Sequence, residues 1–422
     1  MKILIVGSGG REHAIAWKLS QNKKIEKIFI APGNAVIKLI PNAEIIELSN
    51  DIDEYVNFSK ENNIDLTIVG SEELLVQGIV DKFKENELKI FGPNKKSAIL
   101  EGSKVYSKDF MKKYGIKTAI YEIFDDFNNA KEFLSNYKNF PVVIKASGLA
   151  AGKGVIIAKD LDESIKAIDD IMITKKFGSA GDKVVIEEFL DGVEASILSF
   201  TDSKIIVPLI SAKDHKKIGE NETGLNTGGM GVISPNPYVT DSIFEEFKNE
   251  IMNPTLNGIQ NEGMDFEGVI FFGIMITKKG VYLLEYNMRM GDPETQAVLP
   301  LLENDLLELI SKAFDKKLSE VEIKWKPLHS CCVVGASAGY PENYENGNLI
   351  LGIEEYTENE ENILFLAGSK SDENGNFLTN GGRVLNAVGL GKTLEEARKN
   401  AYSLIGKIKF DGIYFRKDIG IY

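Results

Sequence analysis

Two apolar runs, Gly268–Thr277 and Gly280–Asn287, flank Lys278-Lys279. Runs of this length around a short polar break read as an antiparallel hairpin, which needs a core against one face. The second run passes through Glu285, Asn287 and Arg289 before Gly291 and Pro293 stop the strand. Residues two apart share a strand face, so Val281, Leu283, Glu285, Asn287 and Arg289 are expected to point the same way. A carboxylate, an amide oxygen and a guanidinium in a row offer hard oxygen ligands for Mg²⁺ beside a cation suited to phosphate. The plainer alternative is a charged, solvent-facing strand. The abrupt stop after the polar row favours a site.

A chain of 422 residues exceeds one ordinary domain, so roughly two to four are expected. Net charge is −14, and lysines are interleaved with acids. No basic block of the kind that grips nucleic acid is present, and no such partner is expected. Cys331 and Cys332 are adjacent, which excludes a disulfide framework or zinc spacing and predicts a buried strand. No apolar stretch approaches ~20 residues, so no membrane span is expected. The first strand is short and interrupted by Gly7, unlike a signal peptide, and a cytoplasmic location is expected.

The first hundred residues alternate apolar strands (2–6, 27–30, 66–69, 89–91) with helical patterns (12–20, 53–62, 72–84). That rhythm predicts an α/β, doubly wound parallel sheet. Helix follows over 95–114. Strands at 141–145 and 155–158 flank a glycine-rich loop, and 184–189, 195–200 and 205–210 are expected to continue their sheet. A helix over 304–314 leads to a separate α+β module with strands at 329–338, 363–367 and 382–388. Thr393 and Glu396 have the spacing of a capping box.

Three glycine-rich segments suggest anion binding. Gly148-Leu149-Ala150-Ala151-Gly152-Lys153-Gly154 fails the phosphate-loop spacing and lies between strands, so it reads as a flexible hairpin whose amides can close over phosphate, with Lys145 beside it. Gly7-Ser8-Gly9-Gly10-Arg11-Glu12-His13 only partly resembles a dinucleotide fingerprint. Glu12 occupies the third glycine position, and no acid ends the strand at 27–30. It suits the phosphate of a sugar phosphate. His13 is open between ligand and structural roles. The stretch from Asp214-His215-Lys216 to Thr227-Gly228-Gly229-Met230-Gly231 has no steady apolar period and is expected to be a loop closing on ligand. At 184–194, a strand edge could hold an adenine and a following acid the ribose.

The order of these parts resembles the ATP-grasp fold, and within it the phosphoribosylamine–glycine ligase family. The likeness runs nearly end to end. It is carried by Gly9-Gly10-Arg11-Glu12-His13, the 148–155 loop, Asn226-Thr227-Gly228-Gly229-Met230-Gly231, Arg289-x-Gly291-Asp292-Pro293-Glu294-Thr295-Gln296 and Gly381-Gly382-Arg383-Val384. Departures from the family pattern fall at Val36, Ser71, Leu74, Ser147, Leu225, Tyr286 and Met290; none removes a proposed ligand. The resemblance implies three domains: 1–102; an ATP-grasp domain over 103–325 with a lid near 120–190; and 326–422. It implies that Lys104, Lys145, Gly148, Gly152, Lys153, Gly154, Glu187, Glu188, Leu190 and Glu194 bind ATP. Gly9, Gly10, Arg11, Glu72, Thr227, Gly228, Gly229, Met230 and Asp292 would bind substrate. Glu285 and Asn287 would hold Mg²⁺ or Mn²⁺, with Arg289 and Asp214 catalytic.

The implied reaction joins glycine to 5-phosphoribosylamine at the expense of ATP, through glycyl phosphate, in a monomer. Phosphoryl transfer needs positioning and charge neutralisation rather than an enzyme nucleophile, so the lack of a Ser-His-Asp or Cys-His arrangement is expected. Rival readings are a sister ATP-grasp ligase, a nicotinamide oxidoreductase and a non-catalytic nucleotide-binding regulator.

Overall fold

The computed structural model describes residues 1–34, 39–150 and 152–421. Val36 and Ala151 therefore lie outside the described residues. The N-terminal sheet is parallel throughout, in the order Ala43–Ile45, Lys27–Pro32, Lys2–Gly7, Leu66–Val69, Ile90–Phe91. Its central strand feeds two cores. Ile3 and Ile5 pack on one face with Ile15 and Leu19, whereas Leu4 and Val6 pack on the other with Tyr55 and Val56. That is the doubly wound arrangement, with helices on both sides. The strand Ala43–Ile45 was not legible in a stretch that lacks an apolar run. The single helix expected over 72–84 is two, Glu72–Gln77 and Ile79–Glu85. Gly78 (φ 106°) lies between them, and its amide caps the first through the Leu74 and Leu75 carbonyls.

Beyond Ser103 the chain builds two antiparallel sheets. One has the order Tyr121–Phe124, Val184–Glu188, Val142–Ala146, Val155–Ala158 and is covered by helices Phe127–Asn136 and Leu161–Ile168. The other runs Ile206–Pro208, Gly192–Thr201, Gly268–Thr277, Gly280–Asn287. The single continuous sheet expected across 184–210 is thus corrected: the chain changes sheets at 189–191. Gly192 starts the second sheet because a Cβ there would strike the Ile276 carbonyl. The hairpin around Lys278-Lys279 has the expected bounds.

A third antiparallel sheet orders Lys213–Asp214, Gly231–Ser234, His329–Ala336, Arg383–Gly391, Asn362–Leu366, backed by helix Leu394–Ile405. Two of its strands precede residue 326. Cys331 and Cys332 are buried in its middle. The expected loop over 214–231 is corrected too, since Lys217–Gly219 and Thr223–Asn226 pair as a hairpin with no fully buried residue. Such a ribbon has no buried face, hence no apolar period. Only half of the expected capping box forms: Thr393 accepts from the Glu396 amide, but the Glu396 carboxylate takes the Lys392 amide. Among the described residues no helix is long and apolar enough to cross a membrane.

The core under the hairpin centres on Phe272, fully buried, with ring centroids 5.1 Å from Phe247 and 5.7 Å from Tyr286. Phe272→Ala is expected to cost about 3–5 kcal/mol, seen as a lower urea midpoint at unchanged slope.

Candidate active site

The strand Gly280–Asn287 does not keep one alternation. Gly273 faces Glu285, but Ile274 faces Leu283, so Leu284 is an extra, bulged residue. Val281 and Leu283 enter the same core as Tyr286 and Met288. Glu285, Asn287 and Arg289 lie on the opposite face. The expectation that Val281 and Leu283 share that face is corrected by the bulge. The polar row itself stands: Arg289 Nη2 donates to Asn287 Oδ1 at 3.3 Å.

Around this face the structure gathers cations. Burial pushes the Glu285 carboxyl up, but Lys216, Lys104, Lys145 and Arg289 together hold it below the usual range. Lys104 begins helix Lys104–Lys113, whose first amide donates to the Ser147 carbonyl at 2.7 Å. Lys145, next to last in its strand, donates to the Leu284 carbonyl at 3.3 Å and lies 2.9 Å from Glu187. Arg289 lies 3.0 Å from Glu101 and 3.5 Å from Glu72, and its buried Nε has no hydrogen-bond partner. Lys216 lies 2.7 Å from Glu194.

Two carboxylates expected at the nucleotide are already engaged. Glu187 is buried between Lys145 and Lys108, the latter at 3.1 Å. Burial, with Lys145 nearby, lowers Lys108 to about 8, yet the two lysines keep Glu187 below its ordinary value. Its side chain therefore fixes lysines rather than facing a ribose. Nor is 184–188 a free edge, because the strand pairs on both sides. Glu188 accepts from the Ile120 amide at 2.9 Å. The half-buried Leu190 and Glu194 lie past the strand end.

The N-terminal turn meets the Asp292 segment. A Cβ on Gly9 would lie 2.7 Å from Asp292 Oδ2, and one on Gly10 would strike Asn386. Arg11 sits 2.6 Å from Glu12 and 3.8 Å from Glu72, and donates to the Met290 carbonyl at 3.1 Å. Glu72 thus faces both Arg11 and Arg289. A cavity of about 330 Å³ opens here, lined by Ser8, Gly9, Arg11, Tyr55, Ser71 and Glu72. Asp292 is 3.3 Å from Arg383 and accepts from Gln296 at 2.8 Å.

Asp214 is half-buried, and its buried Oδ1 has no partner. Burial and the Glu294 charge raise its pKa well above the ordinary value. Gly229 (φ 113°) packs against it, since a Cβ would lie 2.7 Å from that oxygen. In the Thr227–Gly229 turn the Gly229 amide donates to Thr227 Oγ1 at 2.9 Å and the Gly228 amide to Tyr340 Oη at 3.0 Å. Met230 is fully buried and its amide donates to the His215 carbonyl, so its side chain serves the core rather than a ligand. In the glycine hairpin the Gly148 amide donates to the Ala180 carbonyl at 3.1 Å and the Gly154 carbonyl accepts from Ala146 at 2.9 Å. Gly152 takes φ 73°. Lys153 does not converge with Lys145; it donates to the Pro341 carbonyl at 3.0 Å.

Both central histidines are structural. His13 Nδ1 accepts from the Leu366 amide at 2.8 Å, and burial lowers its pKa to about 3. His215 bonds the Gly231 carbonyl and the Gly420 amide, and its pKa is also lowered to about 3 by burial. The sequence reading missed Lys108, Glu101, Lys216, Arg383 and Tyr340 as neighbours of the site. Lys216 and Arg383 stood inside motifs already singled out; the others carried no local signal. Among the described residues no cluster of three or more His, Cys, Asp or Glu could hold a metal. The available donors are Glu285 and Asn287, a pair that fits a cation completed by phosphate oxygens.

A glycine hairpin facing a cation-ringed hairpin strand, beside a parallel-sheet domain, defines an ATP-grasp protein. Models of phosphoribosylglycinamide synthetase match its N domain at residues 1–101, its ATP-grasp (A) domain at 102–295 and its C domain at 330–422. The chain belongs to the phosphoribosylglycinamide synthetase family. It is 59% identical over 421 residues to a phosphoribosylamine–glycine ligase of Fusobacterium nucleatum, covering 100% of this chain and 98% of that one. Identity to the Clostridium acetobutylicum ligase is 56% over 420 residues, covering 100% and 99%. The solved Thermotoga maritima phosphoribosylamine–glycine ligase aligns over all of both chains with TM-score 0.83 and 34% identity. A biotin carboxylase domain of Hydrogenobacter thermophilus shares the fold at 16% identity, TM-score 0.76, covering 98% of this chain and 91% of that one.

Replacing Glu187 would leave Lys108 and Lys145 buried without their counter-charge. Glu187→Gln is expected to lower stability by about 3–5 kcal/mol, measured by urea denaturation.

Proposed function

We propose that this chain ligates glycine to 5-phosphoribosylamine, giving glycinamide ribonucleotide, ADP and phosphate, the second step of de novo purine nucleotide synthesis. The observation that carries the reading is the face around Glu285, where four cations surround one carboxylate. Glu187, Glu194, Glu72 and Glu101 hold three of these cations in place, and cations pre-set in this way suit a polyphosphate in transfer. A glycine carboxylate oxygen attacks the γ-phosphorus, the bond to the bridging oxygen breaks, and ADP leaves. The amine nitrogen then attacks the glycyl carbonyl, the carbon–oxygen bond to phosphate breaks, and the amine gives up a proton.

Lys104 and Lys145 hold the phosphates, with Glu187 keeping Lys145 in place. Arg289 stabilises charge on the transferring phosphoryl group. Glu285 and Asn287 would hold Mg²⁺ or Mn²⁺, which when bound neutralises phosphate charge. Leu190 and Glu194 receive the nucleoside, with Glu188 bracing the adjoining strand. Gly148, Gly152, Lys153 and Gly154 shape the cover over ATP, which keeps water from glycyl phosphate. Gly9, Gly10, Arg11, Glu72 and Asp292 form the ribose-phosphate end, and Thr227, Gly228, Gly229 and Asp214 the amine end. We further propose domains over 1–102, 103–325 with its lid near 120–190, and 326–422, and a cytoplasmic monomer.

Glu285→Ala is expected to abolish ADP release dependent on glycine and phosphoribosylamine while leaving the far-ultraviolet circular dichroism unchanged. Near-normal turnover would remove the metal assignment. Arg11→Ala is expected to raise KM for phosphoribosylamine more than KM for ATP in steady-state assays. An unchanged KM would move the sugar-phosphate end elsewhere.

A further inference from the structure

Tyr340 and Pro341 follow the strand His329–Ala336 and lie outside both substrate loops. They nevertheless touch both. The Tyr340 hydroxyl accepts from the Gly228 amide at 3.0 Å. The Pro341 carbonyl accepts from Lys153 Nζ at 3.0 Å. The loops also approach one another directly, because a Cβ on Gly152 would lie 3.7 Å from the Thr227 carbonyl. Tyr340 is seated by its neighbours. Its ring occupies the space a side chain on Gly382 would need, and Tyr344 packs against it with centroids 6.2 Å apart. On the other side of the same residue, the Gly228 carbonyl accepts from Arg383, which also donates to the Asp292 carbonyl at 2.9 Å.

Gly228 is therefore clamped on both sides by the C-terminal module. Its amide donates to the Tyr340 hydroxyl and its carbonyl accepts from Arg383. Without the hydroxyl, that amide would face a phenylalanine ring edge unsatisfied, and the turn would rotate to find water. The Pro341 anchor of Lys153 would move with it.

We propose that Tyr340 is a positioning residue for the ligation. Its hydroxyl keeps the Thr227–Gly229 turn in the shape that takes the sugar-phosphate amine, and the adjoining Pro341 carbonyl ties the glycine loop to the same point. This rests on the ligase reading above. Closure over ATP is thereby linked to a correctly formed amine site, so that glycyl phosphate meets the amine rather than water.

The test compares wild type with Tyr340→Phe, Tyr344→Phe and Lys153→Met. It measures KM for each substrate, the ratio of amide product to ADP, and melting temperature. Tyr340→Phe is expected to raise KM for phosphoribosylamine about tenfold, the loss of one part-buried hydrogen bond, and to lower the product-to-ADP ratio. KM for ATP and melting temperature stay at wild-type values, and Tyr344→Phe behaves as wild type. Lys153→Met lowers the same ratio, and the double variant falls short of the product of the two effects. Should Tyr340→Phe melt early, the assays are run below its melting temperature, where a KM for phosphoribosylamine equal to the wild-type value overturns the proposal. Wild-type turnover with an unaltered ratio in both Tyr340→Phe and Lys153→Met overturns the proposal only. A wild type that releases no ADP with all three substrates overturns the ligase reading and the proposal with it.

Discussion

The extra residue at Leu284 lets one strand serve a dry core and a charged site. With unbroken alternation, Glu285 would follow Val281 and Leu283 into the packing around Phe272. A carboxylate there, away from its cations, would cost several kcal/mol or lose its charge. The one-residue slip sends Tyr286 and Met288 inward and Glu285 and Asn287 outward. It also frees the Leu284 carbonyl from the ladder, and Lys145 takes it. The opposite strand carries Gly273 at this level, so no side chain crowds the floor beneath Glu285.

The charges around that floor are matched unevenly. Glu187 serves two lysines, while Glu72 and Glu101 serve Arg289, and Glu72 also faces Arg11. These acids order the cations by direct ion pairs. Glu285 keeps its charge because the surrounding cations outweigh its burial. Asp214 is the reverse case: burial and a neighbouring acid favour its neutral form. Two carboxyls in one cleft are thus pushed in opposite directions by their surroundings.

Much of this was legible where local signals are strong. The hairpin around Lys278-Lys279, the parallel N-terminal sheet and the glycine hairpin follow from apolar runs and their punctuation. The candidate residues Arg11, Lys145, Glu285, Asn287 and Arg289 stand out by type and position. What escaped has no local mark. A bulge at Leu284 looks like any other apolar residue in a strand. The Lys217–Gly219 and Thr223–Asn226 ribbon has no fully buried residue and no apolar face. Glu187 reads as a ligand until both lysines are seen to reach it from distant elements. Met230 reads as loop until the core closes over it. Tyr340 becomes relevant only when the C-terminal module meets Gly228.

The central claim is that the charged face drives ATP-dependent joining of glycine to a sugar-phosphate amine. The most direct measurement follows ADP and labelled glycine together in the wild-type protein, with and without freshly prepared phosphoribosylamine. ADP and a glycine-derived amide are expected to form in equal amounts, only when ATP, glycine and the amine are all present. ADP release at the same rate without the amine, or with no amide formed, would contradict it.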